Sequence, residues 1–188
     1  MVNNKTPNKL LHNGGNDIYF TPLDVVKFMI NLCNIQPGQK VLDCSAGDMR
    51  FFNNYPNYCI KDWCEITEGK NFFQYNQKVD WIISNPPYSI LTDWIEHTVK
   101  ICDAFCFILN FHNLTDKRLR FLQEQNFYVT KMHILRVDWW YGLQCIIVVE
   151  KNKQPVISVH DSVVICDICG TKCKRGRNGI SVNQCSKV

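Results

Sequence analysis

Hydrophobic positions along the chain alternate between short continuous apolar runs and helical spacing. In LDVVKFMINLC, Val25, Val26, Met29, Ile30 and Cys33 fall mostly on one side of a helix that Thr21-Pro22 caps and opens. KVLDC, residues 40–44, reads as a buried strand ending in a sharp turn, followed by a short helix around 48–53 and a strand near 59–65. VDWIIS (Val79–Ser84) is a further strand, and two prolines forbid its continuation through Asn85-Pro86-Pro87-Tyr88. A helix over 91–100, a strand over 104–110, a helix over 115–125 and strands around 128–135 and 144–150 complete the set. Strands alternating with helices predict an α/β fold: a twisted, mostly parallel sheet with helices on both faces.

Composition narrows the class. The 188 residues are 46% hydrophobic and 20% charged, which excludes a disordered tail and a coiled coil. The length leaves room for one full domain and a small appendage. The polar stretch over residues 1–16 lacks the apolar core of a signal peptide, and no apolar run approaches the roughly 18–20 residues of a membrane span. A non-secreted, cytoplasmic protein is expected, with no membrane partner and reduced cysteines.

Charge changes the picture once it is divided. Residues 1–150 hold 14 basic and 15 acidic side chains, whereas residues 151–188 hold 7 basic and 2 acidic ones. The positive charge therefore lies in the tail, which also holds four of the 11 cysteines. The other seven (Cys33, Cys44, Cys59, Cys64, Cys102, Cys106 and Cys145) are scattered in apolar segments and read as small buried hydrophobes. The organisation expected is a flexible segment over 1–16, a main domain over 17–150 and a basic, Cys-rich tail over 151–188.

In that tail, Cys166 and Cys169 have the two-residue spacer that lets neighbouring thiolates share a zinc ion. Either Cys173 and Cys185 complete a zinc-ribbon-like site, or the gene product continues and a ligand lies beyond; His160 is a less favoured substitute. Lys174, Arg175 and Arg177, with Gly176 among them, form a loop suited to phosphates. By contrast, Lys117-Arg118-Leu119-Arg120 reads as the solvated face of a helix.

Candidate chemistry gathers at predicted strand ends, where open α/β sheets bind ligands. Ser45-Ala46-Gly47 turns tightly after Asp43, and Gly47 permits close approach to the backbone. Glu65 follows Asp43 by 22 residues, near the spacing at which such units hold ribose hydroxyls. The box Asn85-Pro86-Pro87-Tyr88 is the strongest signal. An amino group pinned by the Asn85 side-chain oxygen and the Pro86 carbonyl would have its lone pair aimed at an electrophile, and Tyr88 offers a stacking face.

Over residues 17–150 the chain resembles the class I S-adenosylmethionine-dependent amino-methyltransferases, above all DNA adenine-N6 methyltransferases with cofactor motifs preceding the catalytic box, a gamma-like order. The resemblance implies a Rossmann-like, mostly parallel sheet of about seven strands and a catalytic set of Asn85, Pro86, Pro87 and Tyr88. It implies that Tyr19, Phe20, Thr21 and Pro22 grip the methionine end of the cofactor. Asp43, Ser45, Ala46 and Gly47 would line it, Glu65 would hold the ribose, Asn71 and Phe72 would meet the adenine, and Asn85 would also face the cofactor. Two positions depart from the family: Met49 stands where a second glycine is common, and Asn71 where an Asp is usual.

The implied reaction is direct methyl transfer to the N6 of a flipped adenine in DNA, with Trp139, Trp140 and Tyr141 as a wall for the base. Alternatives of the same chemistry are adenine in RNA and glutamine in a protein; a nucleic-acid-binding subunit with weak turnover is the alternative from another class. Sequence recognition is expected in the tail, in residues 139–141 or in a second subunit.

Overall fold

The computed structural model describes residues 20–137 and 140–157, and beyond them the backbone of four two-residue strands between 164 and 180. The chain divides between Ile157 and Ser158 into two compact units.

In the first unit, helix α1 (Leu23–Leu32) buries Val26, Met29 and Ile30, as its spacing requires. Its start differs from expectation. Thr21 forms no side-chain cap; Pro22 occupies the cap position with φ −54° and ψ 143°, and its carbonyl accepts from Val26 N at 2.9 Å. The proline ring fixes that φ itself.

Strand β1 (Lys40–Asp43), helix α2 (Arg50–Asn54), strand β2 (Ile60–Trp63) and strand β3 (Val79–Ser84) follow. Helix α3 (Leu91–Ile101) returns the chain to strand β4 (Cys102–Asn110). Helix α4 (Asp116–Glu124), capped by the Thr115 hydroxyl, leads to strand β5 (Phe127–Leu135) and then strand β6 (Gln144–Lys151). The sheet order is β2-β1-β3-β4-β6-β5. Strands β1 to β4 pair in parallel, and β6 runs antiparallel to both β4 and β5.

This sheet has six strands among the described residues, where about seven were expected. Between β2 and β3 the chain makes two short 3-10 turns, Ile66–Glu68 and Phe72–Gln74. Glu65 and Asn71 accept from the backbone N–H of Thr67 and Phe73, so each turn satisfies its donors locally.

Both sheet faces are buried, which is why β3, β4 and β6 read as continuous apolar runs rather than alternating ones. Phe105, Phe107 and Leu109 pack with Leu91, Trp94 and Leu122 from α3 and α4. Cys106 and Ile108 on the other face pack with Val26, Met29 and Phe51 from α1 and α2. The seven scattered cysteines are all buried and free, as expected. Arg118 does not join a solvated face: its guanidinium folds back onto Thr92 Oγ1 (3.2 Å) and the Asn113 carbonyl (2.7 Å).

Beyond β6, Asn152 N donates to Asn126 O and Val156 N to Val129 O, both at 2.8 Å. In the second unit, β7 (Val164–Ile165) pairs antiparallel with β8 (Lys172–Cys173), and β9 (Arg175–Gly176) with β10 (Gly179–Ile180). Cys166, Cys169, Cys185, Lys174 and Arg177 lie outside the described residues, as do the side chains of Cys173 and Arg175.

Candidate active site at the strand ends

The carboxyl ends of β1 and β2 meet through backbone bonds that the parallel register leaves available. Cys64 N donates to Asp43 O at 2.8 Å, and Ala46 N donates to Cys64 O at 2.9 Å. The turn after β1 is therefore stitched to the end of β2. Gly47 sits at φ +50° and Met49 at φ +66°, both in the left-handed region. A side chain at Gly47 would lie 3.5 Å from the Phe20 ring, so the glycine keeps the space beside Phe20 open.

Phe20 and Thr21 are held against this turn by Arg50. Its Nη1 donates to the Thr21 carbonyl at 3.0 Å, its guanidinium lies 5.6 Å from the Phe20 ring centre, and its Nε pairs with Asp48 at 2.5 Å. Thr21 Oγ1 is buried and has no hydrogen-bond partner among the described residues. Tyr19 lies outside them.

Glu65 links the two strand ends. Its Oε2 accepts from Gly47 N at 2.8 Å, and its Oε1 accepts from the N–H and hydroxyl of Thr67 at 3.1 and 3.0 Å. Asn71 Oδ1 is committed to Phe73 N at 3.0 Å. Phe72 is 2% exposed and packs on Trp94 at 4.6 Å and on the His97 ring at 4.7 Å. Burying a whole phenyl stabilises this place in the core.

Asn85 and Pro86 leave β3 next to the glycine turn. Ser45 Oγ donates to the Asn85 carbonyl at 2.7 Å and lies 2.8 Å from Ser84 Oγ, which is 2.8 Å from Asp43 Oδ1. Asp43 is 0% exposed, and its Oδ2 has no hydrogen-bond partner among the described residues. Burial pushes its carboxyl up to about 7; the Ser84 hydroxyl and nearby backbone of Ser45 and Phe52 oppose this, while the Glu65 charge adds to it. Tyr88 follows in a 3-10 turn (Tyr88–Ile90), half-buried, with its hydroxyl on the Ile108 carbonyl at 3.3 Å.

The aromatic loop separates into two environments. Trp140 is 6% exposed and belongs to the core on the α1–α2 side, whereas Tyr141 is 87% exposed. A backbone turn joins Trp140 N to Val137 O at 3.0 Å. Trp139 lies outside the described residues. Asn110 Nδ2 and Gln144 Nε2 hold the Tyr141 carbonyl at 2.9 and 3.1 Å.

Two participants escaped the sequence reading. Ser84 had a visible signal, a polar residue closing an apolar strand beside the Asn85 box. Arg50 had none, since its partner Thr21 lies 29 residues away. Among the described residues, no group of three or more His, Cys, Asp or Glu is placed to hold a metal. No described helix is long and apolar enough to cross a membrane.

No protein-family model and no curated protein matches the chain. Solved structures do. The chain is similar to a ribosomal protein L11 methylase from Lactobacillus delbrueckii subsp. bulgaricus (TM-score 0.55, 14% identity, covering 69% of this chain and 78% of that one). It is also similar to the Type I restriction enzyme EcoKI M protein (TM-score 0.54, 12% identity, 74% of this chain), of which it spans 45%. A third is the 23S rRNA methyltransferase ErmE (TM-score 0.52, 8% identity, covering 76% and 73%). At such identities the likeness is one of fold: the first unit has the Rossmann-like sheet of methyltransferases that serve different substrates.

Proposed function

We propose that the chain is an S-adenosylmethionine-dependent DNA methyltransferase that modifies the exocyclic N6 of adenine. One observation carries this reading: the Asn85 box and the glycine turn are joined by the 2.7 Å bond from Ser45 to the Asn85 carbonyl. A substrate held by the first loop and a cofactor held by the second are then neighbours, and proximity of this kind supplies roughly 7–11 kcal/mol of rate enhancement.

The residues around Gly47 fit the cofactor. Gly47 leaves room beside Phe20, the Thr21 hydroxyl is buried and unpartnered among the described residues, and Glu65 presents a carboxylate at the end of β2. When bound, S-adenosylmethionine supplies an electrophilic methyl group on a sulfonium. The chain's own part is to hold the target: Asn85 Oδ1 and the Pro86 carbonyl accept the two amino hydrogens, which turns the nitrogen lone pair toward the neighbouring loop. Tyr88, steadied by Ile108, stacks on a base flipped from the duplex at a cost of a few kcal/mol. Exposed Tyr141 contacts the same strand.

The second unit is proposed to bind zinc through Cys166, Cys169, Cys173 and Cys185, and to set Lys174, Arg175 and Arg177 against phosphates. Hairpins β7–β8 and β9–β10 support this, because Cys173 lies on β8 and Arg175 on β9. The first unit's likeness to a Type I restriction M protein favours DNA as the partner, with a second subunit supplying sequence recognition.

The test is incubation with labelled S-adenosylmethionine and duplex DNA, followed by digestion to nucleosides. Label is expected in N6-methyladenine and is lost in Asn85→Ala. No label in methyladenine from the wild type overturns the reading, and parallel reactions with RNA and a glutamine-bearing protein assign the other substrates.

A further inference from the structure

Four oxygens run in line from the end of β1 to the start of the Asn85 box: Asp43 Oδ1, Ser84 Oγ, Ser45 Oγ and the Asn85 carbonyl. The three gaps are 2.8, 2.8 and 2.7 Å, each the length of an O–H···O hydrogen bond. Three such bonds need three hydrogens, and the two serine hydroxyls supply only two. The carbonyl can only accept. If Asp43 were ionised it could only accept too, and one gap would set two oxygen lone-pair regions against each other. A proton on Asp43 closes the count: Asp43 donates to Ser84, Ser84 to Ser45, and Ser45 to Asn85.

The surroundings favour the same state. Asp43 and Ser84 are both 0% exposed. The Glu65 charge disfavours a second negative charge on Asp43, which also lies among the buried Cys44, Cys64 and Tyr55; the Ser84 hydroxyl and the backbone of Ser45 and Phe52 act the other way, and burial outweighs them. Arg50, the cation of this turn, is committed to Asp48 and the Thr21 carbonyl. Burial without a compensating cation is the condition under which a carboxyl keeps its proton.

We infer that Asp43 is held as a neutral carboxylic acid and serves as a positioning residue, fastening the Asn85 box to the glycine turn through Ser84 and Ser45. The protonation part stands on the hydrogen count alone; the catalytic part rests on the methyl-transfer reading proposed above. Ionising Asp43 removes one hydrogen from the chain, so one of its three bonds is lost and the tie between the end of β1 and the Asn85 box is broken.

Two measurements on the full chain test this. The first is the infrared difference between wild type and Asp43→Asn across pH 5 to 9, which isolates the Asp43 carboxyl. A carboxylic C=O band is expected in the acid range and fades as pH rises through about 7. A carboxylate signal throughout overturns the inference. The second is kcat for methyl transfer to DNA at saturating cofactor. Wild-type kcat is expected to fall as Asp43 ionises, and Asp43→Asn to lose that dependence. Ser84→Ala is expected to lower kcat at least about tenfold with cofactor Kd unchanged, because its hydroxyl makes two of the three bonds in the chain. Unchanged kcat in Ser84→Ala, with normal Kd, overturns the positioning role. A wild type with no turnover overturns the methyl-transfer reading and the positioning role, while the infrared titration still decides the protonation state.

Discussion

Glu65 Oε2 accepts from the backbone N–H of Gly47 at 2.8 Å, so the end of β2 braces the turn that follows β1. The other carboxylate oxygen braces Thr67. In Glu65→Gln one oxygen becomes a donor that cannot accept from either neighbour. A loss of about 1.5–3 kcal/mol in folding stability, read by urea denaturation, is expected from a hydrogen bond to a charged group. Cofactor affinity measured by calorimetry is expected to fall in the same variant.

Gly47 holds φ +50°, and the nearest atom to an added Cβ is at ordinary contact distance. The cost of Gly47→Ala is therefore backbone strain, roughly 1–2 kcal/mol. Gly47→Asn is expected to cost less, because Asn tolerates this region. Equal losses would instead indicate a steric cause.

Asp43 also makes stability depend on pH. Its folded pKa, raised to about 7, lies above the ordinary 3.8, so the native state holds the proton more tightly than the unfolded chain. This residue's contribution is favourable below about pH 4, declines as pH rises towards 7, and leaves a full penalty above that. The shift sets an upper bound on that penalty of about 4 kcal/mol. Asp43→Asn is expected to match wild type near pH 4 and to exceed it by a few kcal/mol at pH 8. Parallel curves for the two proteins would refute the assignment.

Phe72 separates packing from ligand contact. Buried against Trp94 and the His97 ring, it is expected to cost about 3–5 kcal/mol as Phe72→Ala, measured by thermal or urea unfolding. Phe72→Leu is expected to keep cofactor affinity close to wild type. A large loss of affinity at preserved stability would place the ring beside the ligand after all.

Tyr141 is the opposite case. At 87% exposure, Tyr141→Ala is expected to change stability by less than about 0.5 kcal/mol. Its effect is expected in DNA affinity at fixed salt.

The strands were readable because β3, β4 and β6 are buried on both faces, which leaves unbroken apolar runs in the chain. The Asn85 box was readable for a local reason as well: two prolines must end a strand wherever they occur. Residues whose neighbours are distant in sequence were read less well. Phe72 and Trp140 look alike in sequence to ligand-facing aromatics, and only the packing of α3 and of α1–α2 turned both rings inward. The six strands read from the sequence all appear in this sheet, and the side chains of Glu65 and Asn71 cap short 3-10 turns between β2 and β3.

By itself, the sequence determined the alternation of strands and helices, the glycine turn, the Asn85 box and the burial of the scattered cysteines, all set by local spacing and side-chain chemistry. Only the tertiary structure decided that Asp43, Ser84, Ser45 and Asn85 form one hydrogen-bonded line. Those residues come from the ends of two strands about 40 positions apart, and hydrogen bonds between them exist only after parallel pairing brings the strand ends together.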